Sequence, residues 1–314
     1  MTRGHMAKIA VWGLLGILLI QILPSAVVEA QQDDSYQELA FLGSAQVERT
    51  ILVYGLGDSV ASGHGLSGAE GDCVRAPGAY PLLVTLLLAD VGAVEGGHFA
   101  CSGATTEDLT GQVDQVLADL ATRGIPENTI TLVTITIGAN DFGWTNIAEL
   151  APVFCGSDTK YQNWVDDTND LIKSNVFREG RRLVIEGQAK LIITEYHDPL
   201  NRESNFLKVF SLLPNCLFRG LSVADLYLRA EDAIHSTNSM FKDMVADAGP
   251  ARVRLADVHT NFHGHESSQP ICGTAPPGIA DTWIQVFDCF HPNRTGADNF
   301  ANAVDAAVRQ PPPN

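Results

Sequence analysis

The chain has 314 residues, of which 45% are hydrophobic, and this composition supports a sizeable packed core. Its formal net charge is −17, from 37 acidic and 20 basic side chains. Nucleic-acid binding is excluded because it requires a basic patch, and an anionic membrane surface would repel so acidic a chain.

The N-terminus has the pattern of a secretory signal peptide. Arg3 and Lys8 precede an apolar run over residues 9–20, and the segment ends in small residues. A membrane anchor is the alternative, but Pro24 interrupts the roughly 20 apolar residues that a span requires. We predict that residues 1–30 are removed and that the mature protein is secreted, extracellular and not stably inserted in a membrane.

The rest of the chain is predicted to be one domain. Residues 31–48 are polar and are expected to form an N-terminal extension, while residues 49–314 contain no repeat and no convincing linker. All six cysteines lie in the predicted mature chain, where an oxidising compartment favours disulfides. Six cysteines allow 15 complete pairings, so counting alone leaves the connectivity open.

Short β-branched runs alternate with helical patterns along this domain. Strands are predicted at residues 50–54, 129–137, 189–195 and 251–258. The middle two are almost continuously apolar or β-branched, as in strands covered on both faces. Helices are predicted at residues 80–90, 108–121, 224–245 and 295–308. The alternation predicts an α/β fold with a central parallel sheet between helices.

Polar motifs follow the predicted strands and precede the last predicted helix. In chain order they are Gly57-Asp58-Ser59, Cys101-Ser102-Gly103-Ala104-Thr105 after a short run at 97–100, Gly138-Ala139-Asn140-Asp141, and Asp288-Cys289-Phe290-His291. Ligands bind at the carboxyl ends of strands in such sheets, so we expect these motifs to lie together.

These motifs contain the parts that acyl transfer needs. Ser59 can attack a carbonyl carbon, His291 can accept and return the proton, and Asp288 can orient the imidazole. The backbone N–H groups of Ser59 and Gly103, with the Asn140 amide, can donate to the developing oxyanion. The sequence therefore predicts a serine hydrolase that needs no metal and no organic cofactor.

The same blocks closely resemble the GDSL/SGNH hydrolase family. The family's usual motif has Leu after the serine, where this chain has Val60. The resemblance spans residues 50–308 and is weakest across 142–250. It implies a three-layer α/β/α fold of flavodoxin-like topology, with Ser59 as nucleophile and with Gly103 and Asn140 as oxyanion donors.

The resemblance also implies the rest of the site and the disulfides. His291 and Asp288 would complete a triad, although some secreted relatives use a Ser–His dyad in which a backbone carbonyl holds the histidine. The cysteine placement is similar to that of secreted, three-disulfide lipases and esterases of the family. That similarity implies the sequential pairing Cys73–Cys101, Cys155–Cys216 and Cys272–Cys289.

Other motifs and residues of the chain allow further interpretations. An α/β-hydrolase would need a Gly-x-Ser-x-Gly elbow, which no serine of the chain provides. Asp58 and Asp141 are expected to brace their loops rather than to react, and His64 and His197 are candidates to line the cleft. The three histidines of the "HTNFHGH" segment share no helical face, so a solvated loop is predicted there and no metal site. They are His259, His263 and His265.

Substrate preference is expected to depend on residues 142–220, and residues 206–214 are predicted to form an apolar rim for an acyl chain. The leading hypothesis is a monomeric lipase or esterase that acts on a small-molecule or lipid ester through an acyl-enzyme. The alternatives are a carbohydrate acetyl esterase or a phospholipase of the same family, and a secreted binding protein without chemistry.

Overall fold

The computed structural model describes residues 50–124, 128–144, 147–200, 205–263, 265 and 290–310. The predicted signal peptide and extension, the triad aspartate Asp288 and the pair Cys272–Cys289 lie outside the described residues. The described residues belong to one unit of contacts, Ser35–Asn314. Among their helices, none combines the length and the apolarity that crossing a membrane would need.

Five parallel strands form the sheet, in the order β2-β1-β3-β4-β5. Their bounds are β1 Thr50–Gly57, β2 Ala93–His98, β3 Thr129–Thr136, β4 Lys190–Thr194 and β5 Val253–Ala256. Every residue of β4, and all but the first of β1, is buried. Strands covered on both faces need apolar side chains throughout, which explains the continuous apolar runs. The order is that of flavodoxin-like sheets, as the resemblance implies.

Ten α-helices are described, five before and five after β4. The first five are α1 Ser59–Ser62, α2 Tyr80–Leu87, α3 Leu109–Arg123, α4 Ile147–Phe154 and α5 Asp158–Ile185. The others are α6 Asn205–Ser211, α7 Pro214–Arg219, α8 Val223–Ala248, α9 His259–Phe262 and α10 Arg294–Arg309. Helices α2 and α10 pack on one face of the sheet, and α3, α5 and α8 pack on the other. The result is the predicted three-layer α/β/α arrangement.

Side-chain caps set where several helices begin. Ser157 accepts a hydrogen bond from the Lys160 N–H at the start of α5, and Asn293 accepts one from the Gly296 N–H, 3.0 Å away, at the start of α10. Such caps satisfy backbone donors that have no partner within the helix. The cap at Asn293, two residues after His291, therefore fixes where α10 begins.

Each predicted strand and helix is present in the structure, with its ends displaced by at most three residues. The short helices α1, α4, α6, α7 and α9 were not predicted, and two larger differences stand beside them. Strand β2 spans Ala93–His98, upstream of the run expected at 97–100, and the 28-residue helix α5 was not predicted at all. Within the described part of the chain the disulfides are Cys73–Cys101 and Cys155–Cys216, and both are pairs that the resemblance implied.

Candidate active site

A cavity of about 470 Å³ opens at the carboxyl ends of β1 and β3. These two strands are neighbours, and the strand order reverses between them, which makes this edge the topological switch point where doubly wound sheets bind ligands. Ser59 follows β1, and Asn140 follows β3. Both line the cavity, together with Gly103 and His291.

Glycine at position 57 allows β1 to end directly against β3. Its φ of +132° is rarely adopted by other residues, and an added Cβ would lie 1.9 Å from the Thr136 carbonyl oxygen. The buried Gln112 amide accepts from the Gly57 N–H at 2.7 Å and donates to the Gly57 carbonyl at 2.9 Å. Gln112 thus fixes the backbone two residues before Ser59, a role that the sequence analysis missed.

The turn at Ser59 rests on a fully buried carboxylate. Asp58 Oδ1 accepts a hydrogen bond from the Val60 N–H at 2.9 Å, which caps α1, and its other oxygen accepts one from the Tyr196 hydroxyl. That hydroxyl in turn accepts from the Ala139 N–H at 3.0 Å. Tyr196 therefore joins the loop after β1 to the loop after β3. Asp58 braces its turn as predicted, whereas Tyr196 was not foreseen.

Burial raises the pKa of Asp58 to about 6. The hydrogen bonds from Tyr196 and Val60, together with the nearby His291, favour the ionised form and oppose that rise. Close to neutral pH the carboxylate is therefore charged, although it has been removed from water. This places a negative charge close enough to His291 for the two side chains to interact electrostatically.

The loops after β2 and β3 are held together by polar contacts. The Asn140 side chain donates to the Ala104 carbonyl at 2.9 Å, which uses one of its two amide N–H groups. Asp141 accepts from the Thr106 hydroxyl at 2.6 Å and from the Thr106 N–H at 3.0 Å. Asp141 therefore braces its loop as expected. Residues 57–59, 101–106 and 138–141 are called the loop floor below.

Three histidines face the cavity. The rings of His64 and His291 stack with centroids 4.6 Å apart, and His64 Nδ1 lies 2.9 Å from Ser102 Oγ. His197 is buried, and its Nε2 lies 3.0 Å from the Phe290 carbonyl oxygen. Burial lowers the pKa of His197 to about 4, so its ring is neutral near pH 7. His197 therefore holds the segment that presents His291, and the expectation that His64 and His197 line the cleft is met.

The far side of the cavity is mostly apolar. Its members, called the apolar wall below, are Phe142, Trp144, Leu200, Tyr227, Ala230, Ala233 and Ile234. Trp144 packs edge-on against the fully buried Phe154, with ring centroids 5.5 Å apart. The disulfide Cys155–Cys216 follows Phe154 directly and ties the end of α4 to α7. The wall is thus backed by packed rings and a covalent link.

Two expectations about other residues are corrected. None of residues 207–214 is among the cavity-lining residues that the structure describes: Leu207 and Phe210 are buried in the core, and Leu212 is 66% exposed. The predicted apolar rim is therefore replaced by the apolar wall. His259 does not lie in a solvated loop but begins α9, where its Nε2 is 2.8 Å from Asp198 Oδ2.

The chain matches a known family over most of its length. Residues 53–304 fit the model of the GDSL-like lipase/acylhydrolase family, which covers most of the chain. The chain belongs to this family. The protein is therefore a serine ester hydrolase, and its substrates are esters.

Solved structures agree on the fold. Phospholipase A1 from Streptomyces albidoflavus NA297 and an extracellular lipase from Streptomyces rimosus are each 22% identical to this chain, with a TM-score of 0.55. Each alignment covers 82% of this chain and 99% of the other. The lipase Lip_vut3 from a goat rumen metagenome is 13% identical, with a TM-score of 0.51 and coverage of 82% and 97%. No curated protein sequence matches the chain.

Proposed function

We propose that Ser59 is the nucleophile of this ester hydrolase. The observation that carries the proposal is the meeting of Ser59, Gly103, Asn140 and His291 around one cavity at the switch point of the sheet. A nucleophile at the start of a helix gains from the helix dipole, and the cap from Asp58 to Val60 holds Ser59 at that position.

The reaction proceeds in two steps. Ser59 Oγ attacks the ester carbonyl carbon while His291 takes its proton, and the oxyanion is held by the Ser59 and Gly103 N–H groups and the free Asn140 N–H. Collapse expels the alcohol, which receives the proton from His291, and leaves an acyl-enzyme. Water, deprotonated by His291, then releases the carboxylic acid and restores Ser59. Asp288 orients His291 in this scheme.

The apolar wall supports an ester with an extended acyl chain. Sites of this size, with apolar lining and a few polar groups, suit ligands larger than acetate. A carbohydrate acetyl esterase would need polar partners for sugar hydroxyls. The cavity has a few polar groups besides the loop floor and the histidines, among them Asp198, Glu231 and Thr237, but the wall offers mainly aromatic and aliphatic groups. We therefore place the protein with lipases and esterases of longer chains. A phospholipid also carries such chains, so a phospholipase activity is an outcome of the test below.

We also propose that the protein is secreted and acts as a monomer. The two disulfides support an oxidising compartment, as does the signal-peptide pattern of residues 1–30. Mass spectrometry of the protein recovered from culture medium tests this, with a mature N-terminus at residue 31 expected. Light scattering of the same sample tests the oligomeric state.

The test of function compares initial rates on p-nitrophenyl esters from acetate to palmitate and on a diacyl phosphatidylcholine. Ser59→Ala is expected to abolish turnover. Ser174→Ala, which changes an exposed serine on α5, is the matched control and should keep wild-type rates. A fluorophosphonate should add one phosphonyl group to Ser59 of the wild type and none to Ser59→Ala. Turnover preserved in Ser59→Ala would refute the nucleophile, and acetate-only turnover would refute the acyl-chain assignment.

A further inference from the structure

Three metal-ligating side chains converge at the carboxyl ends of β4 and β5. Asp198 follows β4, His235 lies in the middle of α8, and His259 begins α9, just after β5. One ligand atom from each lies within 4.8 Å of the other two. Asp198 also lines the cavity, so the cluster stands at the edge of the ester site without including any residue of the loop floor.

The separations fit a shared ion. His259 Nε2 lies 2.8 Å from Asp198 Oδ2 and 2.9 Å from His235 Nε2. His235 Nε2 lies 3.5 Å from the same carboxylate oxygen. Two ligands about 2.1 Å from one ion, at angles of about 90–110°, are roughly 3.0–3.4 Å apart. The three distances bracket that range, so small side-chain rotations would bring all three atoms onto one ion.

Hydrogen bonds alone serve this cluster poorly. A histidine Nε2 carries either a proton or a lone pair, so His259 cannot donate to Asp198 and accept from His235 at the same time. If His259 Nε2 donates its proton to Asp198, then His235 Nε2 lies 2.9 Å from a nitrogen whose proton is already used in that hydrogen bond. The second oxygen, Asp198 Oδ1, is buried and has no hydrogen-bond partner among the residues the structure describes. A cation, in contrast, would meet a lone pair on each of the three atoms.

We propose that Asp198, His235 and His259 bind a divalent transition-metal ion, for which zinc is the best-suited candidate. Imidazole nitrogen and carboxylate oxygen are ligands that Zn²⁺ takes, whereas Ca²⁺ and Mg²⁺ favour oxygen-only sites. The His235 side chain is 46% exposed, which gives the ion a path from solvent, while the Asp198 side chain is only 11% exposed. Water fills the remaining coordination positions.

An ion pair already joins two elements of the site. Lys242, also on α8, lies 2.8 Å from the fully buried Glu195 at the end of β4. This ion pair fixes α8 against the strand that leads to Asp198, so His235 is pre-positioned. A bound ion would add a second link between α8 and the ends of β4 and β5. It would also steady His197, the neighbour of Asp198 that holds the Phe290 carbonyl oxygen, 3.0 Å from its Nε2.

The experiment uses the whole secreted chain without a polyhistidine tag, stripped with EDTA and titrated with Zn²⁺. Calorimetry should give one Zn²⁺ per chain, and Co²⁺ should produce a visible absorption band that Zn²⁺ removes. At a Zn²⁺ concentration 100 times Kd, the Tm should rise by about 5–10 °C. An equal titration with Ca²⁺ should leave the Tm unchanged. These readouts do not depend on ester hydrolysis, so they test the site even if the proposed function fails.

The variants His235→Ala and His259→Ala should each weaken Zn²⁺ binding roughly tenfold or more and remove the Co²⁺ band. His235 is exposed on a helix, where alanine is well tolerated, so this variant is expected to fold. His263→Ala, which removes an exposed histidine four residues beyond His259, is the matched control and should bind like wild type. Wild-type binding in His235→Ala and His259→Ala, or no stoichiometric binding by the wild type, would overturn the proposal.

Discussion

The loop floor and the apolar wall face each other across one cavity, but they are built by different forces. The loop floor has short polar contacts that leave little freedom: Gly57 lies against Thr136, Asp58 bonds Tyr196, and Asp141 bonds Thr106. The apolar wall is held by ring packing, such as Trp144 against Phe154. Directional contacts fix atoms to fractions of an ångström, whereas packing fixes a shape and a volume.

This difference assigns separate tasks to the two regions. A floor of fixed donors suits charge that develops at one oxygen in the transition state. A wall of apolar surface suits a chain of methylene groups whose binding energy grows with length. Changes in the loop floor should therefore lower turnover for every ester, while changes in the apolar wall should alter which ester is preferred.

After the loss of the nucleophile itself, the largest effect is expected from Asn140→Ala. This variant removes the proposed side-chain donor to the oxyanion, and kcat should fall about 10²–10³-fold with KM little changed. The loss should be equal for acetate and for long-chain esters, because the donor acts on the carbonyl oxygen that all of them share. The measurement is steady-state kinetics on the p-nitrophenyl series.

Asn163→Ala, an exposed position on α5, is the matched control for this variant and should keep full activity. Asn140 also donates to the Ala104 carbonyl, so the free energy of unfolding is measured alongside. If the Asn140→Ala enzyme is folded and its kcat is within threefold of the wild-type value, Asn140 is not a donor to the oxyanion.

The next effect concerns the pH dependence of stability. The pKa of Asp58 is about 6 in the folded chain, against an ordinary value of 3.8. The folded state therefore binds this proton more tightly than the unfolded state does. Ionising Asp58 costs stability progressively between about pH 4 and pH 6, and the whole cost, about 2–3 kcal/mol, is present above that window.

Asp58→Asn removes that titration while keeping an oxygen for the Val60 N–H. The free energy of unfolding of this variant, relative to wild type, should rise by about 2–3 kcal/mol between pH 4 and pH 7. Urea denaturation across that pH range measures this difference. The control is Glu107→Gln, which neutralises an exposed carboxylate next to the loop floor. If the difference in free energy of unfolding between Asp58→Asn and wild type stays constant with pH, Asp58 is not the group whose ionisation lowers stability.

A smaller effect is expected from Tyr196→Phe, which deletes the hydroxyl between Asp58 and Ala139. A buried carboxylate oxygen then lacks its donor, and stability at pH 7 should fall by about 2 kcal/mol. The loss should shrink near pH 4, where Asp58 is protonated. Because the two loops also lose their link, kcat should fall for all esters alike.

Tyr80→Phe gives the matched comparison for that variant. Its buried hydroxyl lies 2.7 Å from the neutral Thr136 hydroxyl, so its loss should cost only about 1 kcal/mol and show no dependence on pH. Equal losses in the two variants at every pH would mean that the Asp58 carboxylate adds nothing to the Tyr196 bond.

The position of the loop floor could be predicted from sequence because each residue proposed to act there sits in a short motif at a strand end. Ser59, Gly103 and Asn140 follow β1, β2 and β3, and parallel topology alone brings these ends together. Their supports could not be predicted this way. Gln112 contacts Gly57 across 55 residues, and Tyr196 contacts Asp58 across 138. A single glutamine or tyrosine carries no local signal of such a contact.

The apolar wall was mostly missed, although part of its support had a signal. Helix α5 buries Tyr161, Val165, Ile172, Val176 and Leu183, whose spacings of four and seven residues follow one helical face. Many of the residues between them are Asp or Asn, and these polar side chains obscure the helical spacing of the apolar positions. The metal-site candidate was missed for a different reason: His235 and His259 are 24 residues apart and meet only through tertiary packing.

The smallest effect, and the sharpest test of the contrast between floor and wall, is expected from Trp144→Ala. Removing the indole opens the apolar wall, so kcat/KM for a long-chain ester should fall about tenfold, the equivalent of one or two methylene contacts. The acetate ester does not reach the wall and should be affected less than threefold. The loss should therefore appear as a shift in chain-length preference and not as a uniform drop.

Trp164→Ala is the matched control, because Trp164 packs against Trp144 with centroids 6.3 Å apart but is not among the cavity-lining residues that the structure describes. That variant should lose stability and keep the wild-type preference. If both variants lowered acetate and long-chain turnover in the same proportion, the wall would be a support for the loop floor and not the binding surface for the acyl chain.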